Sequence, residues 1–104
     1  MRRTILITGA SAGIGAAIAR VYAERGWDLI LTARREGPLL ALAAELEATH
    51  RARTTVLTAD LAQPDAARDL VEAIAGRGLT VDGLVNNAGF SRTTGFLATD
   101  PVEH

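Results

Sequence analysis

The sequence predicts an α/β fold, in which a parallel β-sheet is covered by helices. It contains four short β-branched or apolar runs and three longer segments with the apolar spacing of a helix. The two kinds of segment alternate along the chain with short connections, which implies a parallel sheet with right-handed crossovers. With 104 residues the chain is long enough for one compact domain and not for two. We therefore expect a single domain over residues 1–104.

The predicted strands span residues 4–8, 29–32, 55–58 and 81–85, each a short run rich in apolar and β-branched residues. The first strand stops at Gly9 and is expected to be buried. Trp27 precedes the second strand, and we expect it to pack against the sheet.

Three helices are predicted from apolar residues that recur on one helix face. The first runs from Gly13 to a stop at Gly26, the second carries Pro38 in its first turn, and the third opens at Pro64 and closes at Gly76. The predicted core-facing residues are Ile14, Ala17, Ile18 and Val21 in the first helix, Leu39, Leu42, Ala43 and Leu46 in the second, and Ala67, Leu70, Val71 and Ile74 in the third.

Composition excludes several classes of site. Cysteine is absent, which excludes disulfides, thiol catalysis and Cys-ligated metals. All eleven basic residues are arginine, so a Walker A phosphate loop, which needs a lysine, is excluded. The net charge of -1 gives no long-range attraction to nucleic acid or anionic lipid, and no apolar run approaches the ~20 residues of a membrane span. We expect a cytoplasmic protein with no metal site and no nucleic-acid or membrane partner.

A glycine-rich connection lies between the first strand and the first helix, with glycines at positions 9, 13 and 15. Such a turn brings backbone N–H groups close to a ligand, and the amino terminus of the helix behind it favours a phosphate. The spacing G-x-x-x-G-x-G differs from the common dinucleotide fingerprint G-x-G-x-x-G. The loop alone therefore leaves two interpretations open, a phosphate-binding turn or a glycine-rich turn without a ligand.

Two further motifs make the pattern specific: Asp60-Leu61 follows the third strand and Asn86-Asn87-Ala88-Gly89 follows the fourth. With the glycine-rich turn, in this order and spacing, they resemble the short-chain dehydrogenase/reductase family, and the resemblance covers the entire chain. It implies a Rossmann-type doubly wound parallel sheet with strand order 3-2-1-4, truncated here after the fourth strand. It also implies an oxidoreductase that transfers a hydride between a nicotinamide cofactor and an alcohol or carbonyl substrate.

The resemblance also implies the cofactor contacts. The pyrophosphate would lie against Gly9, Ser11, Ala12, Gly13, Ile14 and Gly15. The adenine would meet Asp60 and Leu61, with the carboxylate accepting a hydrogen bond from the adenine amino group. The adenosine ribose would be flanked by Asn87, Ala88 and Gly89, which would also hold the central strands together. Other interpretations stay open, since Asp60 also suits a cap or turn before Pro64 and asparagines are common in simple turns.

The end of the second strand bears on the choice of nicotinamide cofactor. NAD-binding sheets of this type normally carry an acidic residue there, which hydrogen-bonds the ribose 2′-OH, whereas this chain has Ala33 followed by Arg34 and Arg35. An arginine fork suits the 2′-phosphate of NADP, and a charged hydrogen bond contributes about 1.5–3 kcal/mol. The sequence predicts NADP over NAD, with Arg34 the stronger candidate; two solvated surface arginines are the alternative. Ala12 stands where many family members carry a basic residue, which weakens the prediction.

No residue of the chain matches the family's catalytic set. The resemblance implies a catalytic tyrosine with a lysine four residues later, but Tyr22 is followed four residues on by Gly26 and lysine is absent. We therefore assign no catalytic residue and expect the chain alone to be inactive. Residues 90–96 would face the nicotinamide end, where packing competes with substrate contact, and the substrate itself is not predicted.

The chain ends within the helix start at Asp100-Pro101, so we expect it to be a fragment. The complete enzyme is expected to be a homo-oligomer. Without the elements that follow in the family, the strand around Leu84 and Val85 would be an open edge, and the isolated chain would be marginal, aggregate or associate through it.

Two other classes of protein share part of this pattern. A non-catalytic NADP-binding or scaffold protein would share every cofactor motif and lack the catalytic tyrosine altogether. A methyltransferase that binds S-adenosylmethionine also has a glycine loop after its first strand, but it usually needs an acid at the end of the second strand, where Ala33 and Arg34 stand.

Overall fold

The computed structural model describes residues 2–11 and 13–87. The strands are β1 (Thr4–Thr8), β2 (Asp28–Ala33), β3 (Thr54–Thr58) and β4 (Gly83–Asn86), and the helices are α1 (Gly13–Glu24), α2 (Glu36–His50) and α3 (Ala66–Gly76). Each strand pairing among these residues is parallel, and the strand order is β3-β2-β1-β4. The predicted α/β class and the order 3-2-1-4 are confirmed.

The sheet is buried on both faces, as expected for parallel strands between helices. In β1, Ile5 and Ile7 point to the core formed with α1 and α2, while Leu6 points to a second core formed with α3. Leu29 and Ile30 divide between the same two cores in β2. The core therefore has two layers, one on each side of the sheet.

The predicted core face of α1 is wrong for Ile14, Ala17 and Val21, which are exposed, whereas Ile18 is partly buried against the core as predicted. Ile14 is 70% exposed and Val21 is 45% exposed. The residues that face the sheet are small: Gly15, Ala16, Ala19 and Ala23. The face of α1 that is fully buried therefore carries only glycine and alanine, which lets the helix pack close to the sheet. Residue size, and not hydrophobicity alone, therefore decides which face is buried.

The other two helices follow their predictions more closely. The four predicted core residues of α2 are all buried. In α3, Leu70 and Ile74 are buried, but Val71 is 38% exposed. The predicted start of α3 at Pro64 is wrong, since the helix begins at Ala66. The chain is still turning before that point, with Gln63 N–H donating to the Asp60 carbonyl.

Trp27 packs as predicted, against the core between the sheet, α1 and α2. Its ring meets Tyr22 edge to face, with 5.1 Å between centroids, and the Arg3 guanidinium lies 5.8 Å from its centre. Tyr22 therefore has a packing role. No helix within the described ranges is both long enough and apolar enough to cross a bilayer.

Candidate cofactor-binding site

The glycine turn joins the carboxyl end of β1 to the amino end of α1. Gly9 has a φ of +64°, a left-handed conformation that costs glycine little and other residues more. Gly13 is exposed at the first residue of α1, and Ile14 beside it presents most of its side chain to solvent. The first turn of α1 carries no acidic side chain, so nothing within that turn neutralises the positive end of the helix. These features favour the binding of an anion at the amino end of α1.

Gly15 allows α1 to approach the turn. A Cβ added at this position would lie 2.1 Å from the Gly9 carbonyl oxygen and 3.0 Å from Nδ2 of Asn87. Any side chain here would push the helix off the turn. Gly15 is thus required by close packing, whichever ligand the turn takes.

The turn is hydrogen-bonded to the strands on both sides of β1. Ala10 N–H donates to the Thr32 carbonyl of β2 at 3.1 Å, and Nδ2 of Asn87 donates to the Gly9 carbonyl at 3.2 Å. The peptide between Gly9 and Ala10 is therefore anchored at its oxygen and at its nitrogen. The sequence does not predict the hydrogen bond to Thr32, because a backbone carbonyl leaves no signal in residue type.

The two arginines lie directly after β2, at the same end of the sheet as the turn. Arg34 is exposed, and so is Arg35, which precedes α2 in an extended conformation without capping it by a side-chain hydrogen bond. Within the described residues, neither guanidinium forms an ion pair or a hydrogen bond. Both positive charges are thus available to an anion at this edge.

Asp60 lies beyond the end of β3, where a hydrogen bond from Ala59 N–H to the Ala33 carbonyl extends the pairing with β2. Its Oδ1 accepts a hydrogen bond from Ala62 N–H at 3.1 Å, which fixes the carboxylate and leaves Oδ2 for a donor such as an amino group. Leu61 is half-buried against the core under α3, so packing fixes its position.

The structure thus brings the described candidate residues to one edge of the sheet, formed by the carboxyl ends of the four strands. Three predicted contact residues, Ala12, Ala88 and Gly89, lie outside the described residues, as does the segment 90–96. In the described part of the chain, no cluster of histidine and acidic side chains is arranged to hold a metal ion.

Comparison with known proteins decides the family. A family model described as short chain dehydrogenase matches residues 3–103. The chain belongs to the short chain dehydrogenase family. The three motifs from which the resemblance was drawn therefore lie in a sequence that matches the family almost from end to end.

Similar proteins include both reductases and dehydrogenases. Sulfoacetaldehyde reductase 2 of Chromohalobacter salexigens is 43% identical over 103 residues, which cover 99% of this chain and 38% of the relative. A short-chain dehydrogenase from Sphingobium yanoikuyae, solved with NADPH, matches with a TM-score of 0.75 and 40% identity, over 92% of this chain and 37% of that one.

L-sorbose reductase from Gluconobacter frateurii, solved with NADPH and L-sorbose, has a TM-score of 0.78 and 35% identity, over 85% of this chain and 34% of that one. The chain thus spans less than two fifths of the length of each of these three relatives. What this shared part shows is the family and its fold.

Proposed function

We propose that residues 1–104 form the cofactor-binding domain of an NADP-dependent oxidoreductase acting on an alcohol or carbonyl substrate. The observation that carries the proposal is the edge of the sheet itself, where an anchored glycine turn lies at the same end as two arginines that have no ion-pair or hydrogen-bond partner among the described residues. The solved relatives that hold NADPH support the choice of cofactor.

The residues present fit the cofactor. The pyrophosphate would bind the amides of the turn from Gly9 to Gly15, with the exposed side chain of Ile14 against it. Asp60 would receive the adenine amino group through its free carboxylate oxygen, and Leu61 would support the ring. The positions at Ala12, Ala88 and Gly89 complete the proposed set, and Asn87 lies beside the turn. Bound NADP(H) would supply the hydride donor or acceptor.

Arg34 would recognise the 2′-phosphate, with Arg35 as a weaker second contact. Ala33 at the end of β2 is buried and uncharged, so nothing at that position repels a phosphate. We assign no catalytic residue within 1–104, because Tyr22 is engaged with Trp27 in packing. The protein would be a homo-oligomer acting on a small molecule.

The cofactor assignment is tested by replacing Arg34. In the full chain, we expect Arg34→Ala to weaken NADPH binding tenfold or more, because a charged hydrogen bond contributes about 1.5–3 kcal/mol and about 1.4 kcal/mol is a factor of ten. NADH binding should change little, since NADH has no 2′-phosphate. Calorimetric titration of both cofactors gives the two affinities.

Arg25→Ala is the matched control, because Arg25 is also exposed but follows α1 and therefore lies at the opposite end of the sheet. It should leave both affinities unchanged. Tighter binding of NADH than of NADPH by the unmodified protein would contradict the NADP assignment, and binding of neither would contradict the cofactor site.

A further inference from the structure

The outer edge of β3 has free backbone hydrogen-bonding groups. Among the described residues, β3 pairs only with β2. The Arg53 carbonyl accepts an N–H of β2 at 2.9 Å, and Ala59 N–H donates to a carbonyl of β2 at 3.0 Å, so the odd-numbered residues of β3 bond to β2. The N–H and C=O groups of Thr54, Val56 and Thr58 therefore face away from the sheet.

This edge lacks the features that usually keep an edge strand from pairing. The five residues Thr54–Thr58 are all uncharged, none is proline, and four are β-branched. A strand of this composition, with bonding groups free on one side, is a template for another strand.

An exposed apolar side chain of α2 lies above the same edge. Glu47 accepts a hydrogen bond from the Thr54 hydroxyl, so the flank of α2 that carries Glu47 overhangs β3. Glu45 is on the opposite flank, where it pairs with α1. Leu40 and Ala44 share the flank of Glu47, because they precede it by seven and three residues. Leu40 is 51% exposed, which leaves an apolar surface beside the open strand.

The two ends of β3 carry opposite charges. Arg53 precedes the strand, and its guanidinium has no ion-pair or hydrogen-bond partner among the described residues. Beyond the other end of the strand, Asp60 and Asp69 line a groove beside α3. The edge is therefore complementary in charge to a copy of itself that runs in the opposite direction.

We propose that the outer edge of β3, with the flank of α2 above it, binds a second copy of the chain in an antiparallel pairing about a twofold axis at Val56. Val56 then faces its own copy and Thr54 faces Thr58, so that all the outward-facing groups of both strands are hydrogen-bonded. Arg53 of each copy lies at the acidic end of the other. The proposal does not depend on the cofactor, and it is separate from the open edge at β4.

The same axis suits the helices. The hydrogen bond between Glu47 and Thr54 sets the level of α2 over β3. Val56 lies two residues beyond Thr54, about 7 Å along the strand, and α2 covers that distance in about four to five residues counted back from Glu47. The axis therefore passes between Leu40 and Ala44, and the exposed leucine of each copy packs against the small alanine of the other.

Introduced cysteines test the register, because the 104 residues contain none. Under mild oxidation of the full chain with copper phenanthroline, we expect Val56→Cys to form a covalent dimer, since the two copies of position 56 face each other within disulfide reach. Thr58→Cys is the matched control on the same edge and should give about tenfold less dimer, because position 58 faces position 54. An equal mixture of Thr54→Cys and Thr58→Cys should give dimers with one copy of each, even if Val56→Cys does not fold.

Equal yields from Val56→Cys and Thr58→Cys alone would indicate random collision and overturn the proposal. Absence of dimer both from Val56→Cys and from the mixture would also overturn it, including the case in which the chain associates through β4.

Sedimentation velocity tests the helix flank and the charges. We expect Leu40→Ala to weaken the dimer about tenfold, because each copy loses a buried leucine contact, whereas Val21→Ala, 45% exposed on α1, should not weaken it. Arg53→Gln should weaken it about threefold, because two symmetry-related ion pairs are lost. Arg77→Gln, exposed between α3 and β4, is the matched control. Equal effects of each variant and its control would overturn the proposed surface.

Discussion

Thr8 and Thr32 are register partners at the carboxyl ends of neighbouring strands, and both are fully buried. The hydroxyl of Thr8 donates to Oδ1 of Asn86 at 2.9 Å. The hydroxyl of Thr32 has no hydrogen-bond partner among the described residues. A buried hydroxyl without a partner costs about 1–3 kcal/mol, so two identical side chains in adjacent positions contribute differently to stability.

We predict that Thr32→Val raises the free energy of unfolding by about 1 kcal/mol, because valine keeps the shape and removes the unpaired oxygen. Thr8→Val should lower it by about 1–2 kcal/mol, because it breaks a buried hydrogen bond. Urea denaturation of the full chain with each variant measures both changes. A comparable loss of stability in both variants would mean that the Thr32 hydroxyl forms a hydrogen bond.

For individual residues, the sequence predicts which residues form the candidate site better than it predicts the contacts between them. The glycines of the turn, Arg34 and Asp60 were located by motif, and the structure brings them to the edge expected. The bond from Asn87 to Gly9 joins positions 78 apart in the chain and depends on the register of β4 against β1. No local pattern encodes that register, which is why the sequence placed Asn87 near the cofactor without identifying what it holds.

Among the elements, α2 ends in a strained residue. Arg51 caps the helix with a φ of +57°, and it is the only non-glycine residue with positive φ in the described part of the chain. The left-handed conformation costs an L-residue roughly 1–2 kcal/mol and glycine much less, although glycine also gains freedom in the unfolded chain.

We therefore predict that Arg51→Gly raises the free energy of unfolding by about 0.5–1 kcal/mol. Arg53→Gly removes the same charge two residues later, where φ is not positive, and should lower stability instead. Thermal melts of both variants beside the unmodified protein measure the difference. Destabilisation by Arg51→Gly would show that the arginine side chain contributes more than its backbone costs.

Helices α1 and α2 are linked on their outer surface by an ion pair between Arg20 and Glu45. Nε of Arg20 lies 2.7 Å from Oε2 of Glu45, and a second hydrogen bond joins Nη2 to Oε1. The hydrogen bond from Arg20 lowers the pKa of Glu45 below its usual value. A carboxyl group whose pKa falls on folding stabilises the fold above its unfolded-state pKa, about 4.3 for a glutamate, and loses that effect as the pH falls through the folded value.

The stabilising effect of this pair should consequently depend on pH. We predict that Glu45→Gln lowers the melting temperature slightly at pH 7, because exposed ion pairs are weak, and that the difference from the unmodified protein vanishes as the pH falls well below 4. Melts from pH 3 to 7 at low salt measure it, and 1 M salt should reduce the difference at pH 7. A difference that persists at the lowest pH would point to packing by the Glu45 side chain.

The helices also show where periodicity misleads. In α2 the stripe of leucines and alanine is the buried face, as its period predicts. In α1 the equally regular stripe that contains Ile14 and Val21 is largely exposed, because the glycine turn draws the other face against the sheet. A hydrophobic period identifies a helix. Close packing against a turn at one end of the helix can nevertheless direct a different face towards the sheet.

For the molecule as a whole, alternation of strands and helices was sufficient to predict a parallel sheet. The strand order follows from the resemblance, since alternation alone does not state which strand pairs with which.

The strand order also determines which strands lie at the edges of the sheet. Among the described residues β4 pairs only with β1, and it carries Leu84 and Val85 with no charge or proline to discourage further pairing.

We predict that the 104-residue chain, prepared alone, self-associates or aggregates as its concentration rises, because β4 offers a template for another strand. Sedimentation velocity over a range of concentrations, with a thermal melt of the same samples, measures this. A monomer with a sharp cooperative transition would contradict it.

The groups at the edge of the sheet are contributed in chain order, one by each successive strand, and the amide that secures the glycine turn comes from the last of the four. During translation, the glycine turn leaves the ribosomal exit tunnel long before Asn87, whose side chain donates to the Gly9 carbonyl. A nascent polypeptide that has released three strands can already present its arginines and Asp60. Under the proposed function, capture of the nucleotide by all of these groups would wait until translation has passed position 87.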